Sequence, residues 1–570
     1  MLFGLASLLV VQILVMQSPR QSPATQPSVA PASPSTLPAT PVTVDPAPQR
    51  VDKPPRIKPA DDGVALPRDV ITVVLPVESA DLLDPKARSG RMILFFKATE
   101  SRVQGDPSDG PFFDDPQPIC SADVAKLTPG APTSIDDLAV WWPGGSELFD
   151  GEYQVQAIFD SSNVERGHLA AGNLISKVTT VDFQRDRSDV VVLDLTEKIP
   201  APTLSELDNL EWIDISSPSL SAMANRPITH RAGVVFPRGY HDLKAKRRVW
   251  PTIYVIPGFG GRWTDATELA RITSLAGLTA LWPQAVYVIL DPESALGHHG
   301  FVDSVANGPR GAALVSELVP YLEDRFRLIR DPSARIVTGH SSGGWTSVWL
   351  ALNYPLVFGA AFASSPDPLD FSAFQTSDLY KDESLFVGDD GSDRPSFRLP
   401  VGPSHELVPM LVREEIGMEQ AISPQGTSGE QWDAWAAMFS PIAEGSSTPR
   451  RLCDPRTGSI DPVTVESWSH FDIARRIRRD WDGWGKLFVE RVRVIVGERD
   501  SFYLERAAIR LRDSIDEHAR ELAIAGMEYP AGPGYIAIVA KASHDSVFPI
   551  AQLRFNDEMR AWLKRSGNHE

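Results

Sequence analysis

Residues 335–350 read Arg-Ile-Val-Thr-Gly-His-Ser-Ser-Gly-Gly-Trp-Thr-Ser-Val-Trp-Leu. A short apolar strand at Ile336 and Val337 runs into Gly339-His340-Ser341-Ser342-Gly343, and a helix-like run follows. Gly-x-Ser-x-Gly between a strand and a helix is the pattern of a nucleophile elbow. Its turn strains the serine, and small neighbours at Gly339 and Gly343 let strand and helix pass close together. In a chain with 40 glycines the pentapeptide alone would be weak. Its strand and helix single out Ser341 as the candidate nucleophile, against a glycine-rich turn that merely starts a helix.

Outward from the elbow, residues 201–570 alternate strands and helices. Strand-like runs stand at Arg231–Pro237, Thr252–Ile256, Ala285–Leu290, Gly359–Ser364, Val492–Val496 and Tyr535–Ala540. Helical spacing appears over Thr267–Leu278, Ala312–Phe326, Tyr503–Ala525 and Ile550–Ser566. That alternation predicts an α/β domain with a largely parallel sheet covered on both faces. Residues 370–470 break the rhythm. They are polar and turn-rich, with helix-like patches at Val408–Gln420 and Gln431–Phe439, and read as a cap-like insertion.

Residues 61–200 carry short runs of branched and aromatic residues, such as Val70–Val77 and Arg91–Lys97, and an alternating stretch at Gly151–Phe159. They predict an all-β, sandwich-like accessory domain. Trp141, Trp142 and Tyr153 are candidates for stacking on a sugar, weighed against ordinary core aromatics. Residues 19–60 hold a proline-rich stretch, with 12 prolines over 19–59, a composition that forms linkers rather than cores. Residues 2–16 are one largely apolar run. It is short for a membrane span and suits a signal peptide, so residues 1–18 are read as a signal peptide or N-terminal anchor of an exported protein. Membrane contact is expected only if that segment is uncleaved.

A net charge of −19 argues against a nucleic-acid surface. The two cysteines, Cys120 and Cys453, are far apart and give no metal spacing. Two free buried thiols are favoured over a disulfide, and neither metal nor cofactor is expected.

A serine hydroxyl needs a base, and the base an orienting acid. In open α/β sheets such groups gather at the carboxyl ends of strands. Asp500 follows the strand Val492–Val496, and His544 follows Tyr535–Ala540, each in a loop. The order Ser, Asp, His is that of α/β-hydrolases. Glu498 and Asp367 are rival acids. Among the 11 histidines, His298 and His299 are read as groove-lining or, more simply, as a solvated loop; His340 should pack beside the serine. An oxyanion hole needs two backbone N–H donors. Ser342 offers one. The loop Pro257-Gly258-Phe259-Gly260-Gly261 offers the other, from Phe259 first and Gly260 second.

With these residues in place, about 205–568 resembles the esterase D-like branch of the α/β-hydrolases, which includes feruloyl esterases and S-formylglutathione hydrolase. The resemblance is carried by Val255–Gly261, Gly339–Gly344, Gly497-Glu498-Arg499-Asp500 and His544, with Asn307-Gly308-Pro309 and Ser364–Pro368 in support. Two departures stand out. Pro257 occupies a position where many relatives have histidine, and Ser543-His544-Asp545-Ser546 replaces the usual Asp-His-Gly. The resemblance implies hydrolysis of a small-molecule or glycan-linked carboxylic ester through an acyl-enzyme, with Ser341 as nucleophile, His544 as base and Asp500 as orienter. A serine peptidase of the same fold, and a non-catalytic ligand-binding protein on a hydrolase scaffold, are the alternatives.

Overall fold

The computed structural model describes residues 70–84, 86–135, 139–144, 150–162, 165–184, 190–275, 281–402, 405–527 and 532–565, with the backbone of 49–50. The segment 1–18, and all of the proline-rich stretch except Gln49 and Arg50, lie outside the described residues. Among the described residues no helix is long and apolar enough to cross a membrane.

Among the described residues the N-terminal region supplies nine strands: β1 (Val70–Val74), β2 (Gly90–Ala98), β3 (Ile119–Val124), β4 (Pro132–Ile135), β5 (Val140–Trp142), β6 (Gly151–Asp160), β7 (Leu174–Ser176), β8 (Thr179–Phe183) and β9 (Val190–Lys198). They form one hydrogen-bonded path in the order β4-β1-β9-β7-β6-β2-β3-β5, with β8 paired to β6. β9 joins two arms, pairing parallel to β1 and antiparallel to β7. Alternate residues of both arms share one core, including Ile71, Val73, Leu193, Leu94, Phe96, Val155 and Phe159. Cys120 lies in that core, and both it and Cys453 are buried free thiols.

The second sheet has eight strands: β10 (Leu210–Ser216), β11 (Thr229–Val235), β12 (Thr252–Ile256), β13 (Val286–Leu290), β14 (Arg335–His340), β15 (Ala360–Ser364), then β18 (Val492–Gly497) and β19 (Tyr535–Val539), with β16 (Pro395–Pro400) and β17 (Glu406–Leu411) forming a separate hairpin in the insertion. The order is β10-β11-β13-β12-β14-β15-β18-β19. Only β11 runs against its neighbours; from β13 to β19 all pairings are parallel. This is the α/β-hydrolase sheet.

Side chains alternate between its two faces. Tyr254, Val337, Ala361 and Val494 join one core with the helix Ser342–Asn353, while Ile253, Ile336, Phe362 and Ile495 join another with the helices Ala266–Ser274 and His544–Arg565. Each large apolar side chain fully buried there stabilises by about 1.5–3 kcal/mol.

Several boundaries differ from the sequence reading. β10 was not anticipated, because its apolar residues Leu210, Trp212, Ile213 and Ile215 do not alternate cleanly. The patch Val408–Gln420 is split: its first part belongs to β17, where Pro409 disfavours a helix, and the helix starts at Val412. The insertion, polar in composition, is well buried; its helix Gln431–Phe439 is buried at every position after Gln431.

β16, β17 and the helix Val412–Ile422 pack against the N-terminal sheet. Ile93, Phe95, Ile119 and Ile158 form one cluster with Phe397, Met410, Met418 and Ile422. The Ser121 hydroxyl donates to the Ala421 carbonyl across this seam.

Candidate active site

β14 delivers Ser341 to the carboxyl edge of the sheet, partly exposed, at φ 57° and ψ −127°. That conformation costs a non-glycine residue about 1–3 kcal/mol and survives because its surroundings fix it. The Ser341 N–H donates to the Ser364 carbonyl at 3.0 Å, and the Ser341 carbonyl accepts from Trp345 N at 3.0 Å. Glycine is required at both flanks. A Cβ on Gly339 would stand 2.3 Å from the Gly343 carbonyl oxygen, and one on Gly343 2.0 Å from that of Ile256.

β18 and β19 place the other two candidates. His544 Nδ1 donates to Asp500 Oδ2 at 2.8 Å, and Asp500 Oδ1 accepts from Phe502 N at 3.0 Å. Both side chains are buried. Burial by itself opposes charge on both. It is outweighed: the pair holds Asp500 below the usual carboxylate range and His544 above the usual imidazole range. His544 does not sit in a loop, as the sequence reading had it, but begins the helix His544–Arg565. Ser543 and Ser546 exchange backbone and side-chain hydrogen bonds at its start, N–H to hydroxyl at 2.8 and 3.3 Å. Such a reciprocal cap is what the unusual Ser-His-Asp-Ser provides.

The hydroxyl of Ser341 makes no hydrogen bond to His544. The two are linked through His340, whose ring lies 4.4 Å from that of His544 and 5.0 Å from Phe548. His340 Nδ1 bonds the Ser364 hydroxyl at 3.0 Å. Burial, reinforced by His544, holds the His340 pKa well below the ordinary value, so it stays neutral beside the base.

The rival acids are engaged elsewhere. Asp367 Oδ2 accepts from the Ser342 hydroxyl at 2.7 Å and from Trp435 Nε1 at 2.9 Å, tying the elbow to the insertion. Burial raises its pKa despite those bonds. Exposed Glu498 accepts from Lys541 N at 2.8 Å.

The loop after β12 faces the elbow. A Cβ on Gly258 would be 3.0 Å from the His340 carbonyl oxygen and 3.4 Å from Ser341 Cβ. The loop turns through a Gly261 N–H to Gly258 carbonyl bond of 2.9 Å, with Gly260 at φ +81°. Phe259 and Gly260 thus occupy the two central positions of that turn. His298 is buried, not solvated. Its Nε2 donates to the Pro257 carbonyl at 3.0 Å, while its Nδ1 accepts from Gly300 N at 3.2 Å. Burial pushes its pKa down to about 4, so it braces the loop as a neutral ring. His299 is also buried and accepts from Phe301 N at 3.1 Å.

Sequence reading missed Arg166, whose guanidinium carbon lies 4.0 Å from the centroid of the Phe259 ring. It missed Phe502, whose ring is 5.0 Å from that of His544. It also missed Trp435 as a partner of Asp367. None of the three stands in a local motif. A cavity of about 310 Å³ opens between β10, β11 and β13, lined by Arg231, Asp291, Glu293, His299 and Arg310 among others, and includes none of Ser341, Asp500 and His544. Among the described residues no group of three or more His, Cys, Asp or Glu side chains is arranged to hold a metal ion.

The esterase family described as "Putative esterase" matches residues 221–451, which hold β12, the elbow and much of the insertion. No curated protein matches. Among solved structures, an S-formylglutathione hydrolase from Agrobacterium tumefaciens aligns at 15% identity and TM-score 0.34, covering 64% of this chain and 98% of its own. A ferulic acid esterase aligns at 12% identity and TM-score 0.34, covering 62% and 98%. The Staphylococcus aureus fluorophosphonate-binding serine hydrolase F aligns at 11% and 0.34, covering 61% and 97%. With scores this low, the fold stands on the sheet order itself.

Proposed function

We propose that the chain is a serine carboxylic ester hydrolase whose catalysis runs through Ser341, His544 and Asp500, a reading supported by the match of residues 221–451 to the esterase family model. The observation that carries this reading is the buried 2.8 Å His544–Asp500 bond beside the strained, partly exposed Ser341. His544 Nε2 takes the proton as Ser341 Oγ adds to the ester carbonyl. The oxyanion is met by the N–H groups of Ser342 and Phe259, with Gly260 as the second choice in the same turn. His544 then protonates the leaving alcohol, the acyl group stays on Ser341, and water repeats the cycle to release the acid. No step calls for a metal or cofactor.

The insertion 370–470 reads as a cap. The Trp435–Asp367 bond supports this by bringing its helix against the elbow. The two-armed N-terminal sheet reads as sandwich-like, supported by its single shared core. Export is supported by the apolar run at 2–16. The substrate is a small-molecule or glycan-linked ester rather than nucleic acid.

A panel of aryl, feruloyl, acetyl-sugar, thioester and peptide substrates tests the reading. Turnover of esters that Ser341→Ala abolishes is the expected result. Cleavage of peptides with no ester turnover would replace it with the peptidase alternative.

A further inference from the structure

Glu165 and Arg166 lie far from the elbow in sequence, in the N-terminal region between β6 and β7. Both reach the loop after β12. Glu165 pairs with Arg262 at 3.2 Å, just past the turn, and with Arg231 on β11. Burial favours the neutral form of Glu165, but the two guanidinium groups hold its pKa below the usual range, so it is charged. Arg166 lays its guanidinium over the Phe259 ring at 4.0 Å. Two buried acidic side chains stand near the guanidinium, Glu293 at 4.0 Å and Glu430 at 3.9 Å; burial pushes the Glu293 pKa up to about 7 and raises that of Glu430. Gly429, next to Glu430, has no room for a side chain there, since a Cβ would meet Arg166 Cγ at 2.7 Å.

Independent contacts join the same region to the other side of the site. Phe113, from the loop between β2 and β3, packs edge-on against Phe502 at 6.1 Å and against Phe397 at 5.8 Å. Phe502 stands edge-on to His544 at 5.0 Å. The N-terminal region therefore reaches both the loop facing Ser341 and the wall beside the base.

We infer that the N-terminal β-region is a working part of the esterase centre rather than an appended module, with Arg166 as a positioning residue that holds Phe259 and so sets the oxyanion turn. The inference rests on the esterase reading above. A guanidinium over an aromatic face attracts it electrostatically, most strongly when partly desolvated, and its flat shape fixes the ring's plane. The Phe259 N–H belongs to the residue whose ring is held. Loosening the ring lets the N–H wander, and a shift of about 1 Å in such a group can cost about a hundredfold in rate. The ground-state ester, which needs no oxyanion donor, is bound as before.

The test compares full-length wild type, Arg166→Met, Arg166→Lys and Arg166→Gly on one aryl ester, with Ser341→Ala alongside. Wild-type turnover lost in Ser341→Ala establishes the esterase reading by itself. The inference expects kcat to fall about tenfold to a hundredfold in Arg166→Met, with KM within about twofold. Arg166→Lys should recover part of the loss, and added guanidinium ion at millimolar concentration should raise kcat of Arg166→Gly but not of Arg166→Met. As a readout independent of turnover, 4-fluorophenylalanine at position 259 should change its ¹⁹F shift in Arg166→Met. Wild-type kcat in all three variants, a loss matched by a fall in thermal midpoint without guanidinium rescue, or an unmoved ¹⁹F shift would overturn it.

Discussion

His544 Nδ1 meets Asp500 Oδ2 at 2.8 Å, joining the first residue of the last helix to the loop after β18. The bond fixes the imidazole with Nδ1 protonated and leaves Nε2 outside it, the nitrogen that the proposed mechanism uses as its base. It also sets the charge balance, because the buried carboxylate outweighs the desolvation of the ring and holds His544 above the ordinary imidazole pKa.

A pH dependence follows from that sign. The base works only when neutral, so activity is absent below the His544 pKa and appears as pH rises through it. The acid limb of kcat/KM in the free enzyme should lie above the ordinary histidine value of about 6.5. Asp500→Asn removes the charge that raises it, so the limb should move to lower pH. A limb that stays in place in Asp500→Asn would mean that another group titrates there.

Asp500 and Asp367 are separable by substitution. Asp500→Asn leaves one oxygen and an NH2 where two oxygens now accept from Phe502 N and His544 Nδ1, so the tautomer is no longer fixed and kcat should fall on the order of 10⁴-fold. Asp367→Asn keeps an oxygen for the Ser342 hydroxyl and Trp435 Nε1, so its loss should stay below about a hundredfold. The comparison is made by steady-state kinetics on one ester. Equal losses would make Asp367 a second orienting acid.

The insertion carries a stability signature. Glu415 is buried, and desolvation pushes its pKa from 4.5 up to about 7, against the hydroxyl bond from Ser396. The folded chain therefore holds a proton that the unfolded chain releases between those values, and this contribution to stability falls as pH rises from about 4.5 to about 7. Glu415→Gln cannot release that proton. Its stability relative to wild type, read by equilibrium urea unfolding, should improve from pH 4.5 to pH 8 by on the order of 3 kcal/mol. A pH-independent difference between the two would contradict the assignment.

The chain of strands, the elbow turn and the positions of Asp500 and His544 just past strands were legible because each depends on neighbours within a few positions: an apolar run, a glycine-spaced turn, a polar residue after a strand. The sequence reading puts His544 in a loop because it follows the strand-like run Tyr535–Ala540 closely, and the Ser543–Ser546 cap that starts its helix carries no apolar periodicity. The burial of His298 could not be read, because its partner, the Pro257 carbonyl, lies 41 residues away. The seam between Ser121 and Ala421 spans 300 residues and leaves no local periodicity. Arg166 looked like any loop arginine; only the folded chain brings it to Phe259.

The most direct test of Ser341 as the activated nucleophile is the site of covalent labelling by a fluorophosphonate probe, read by mass spectrometry of the digested full-length protein. The label is expected on the peptide containing Ser341, absent from that peptide in Ser341→Ala and strongly slowed in His544→Ala. An unlabelled wild type, or a label on another residue with Ser341 unmodified, would contradict it.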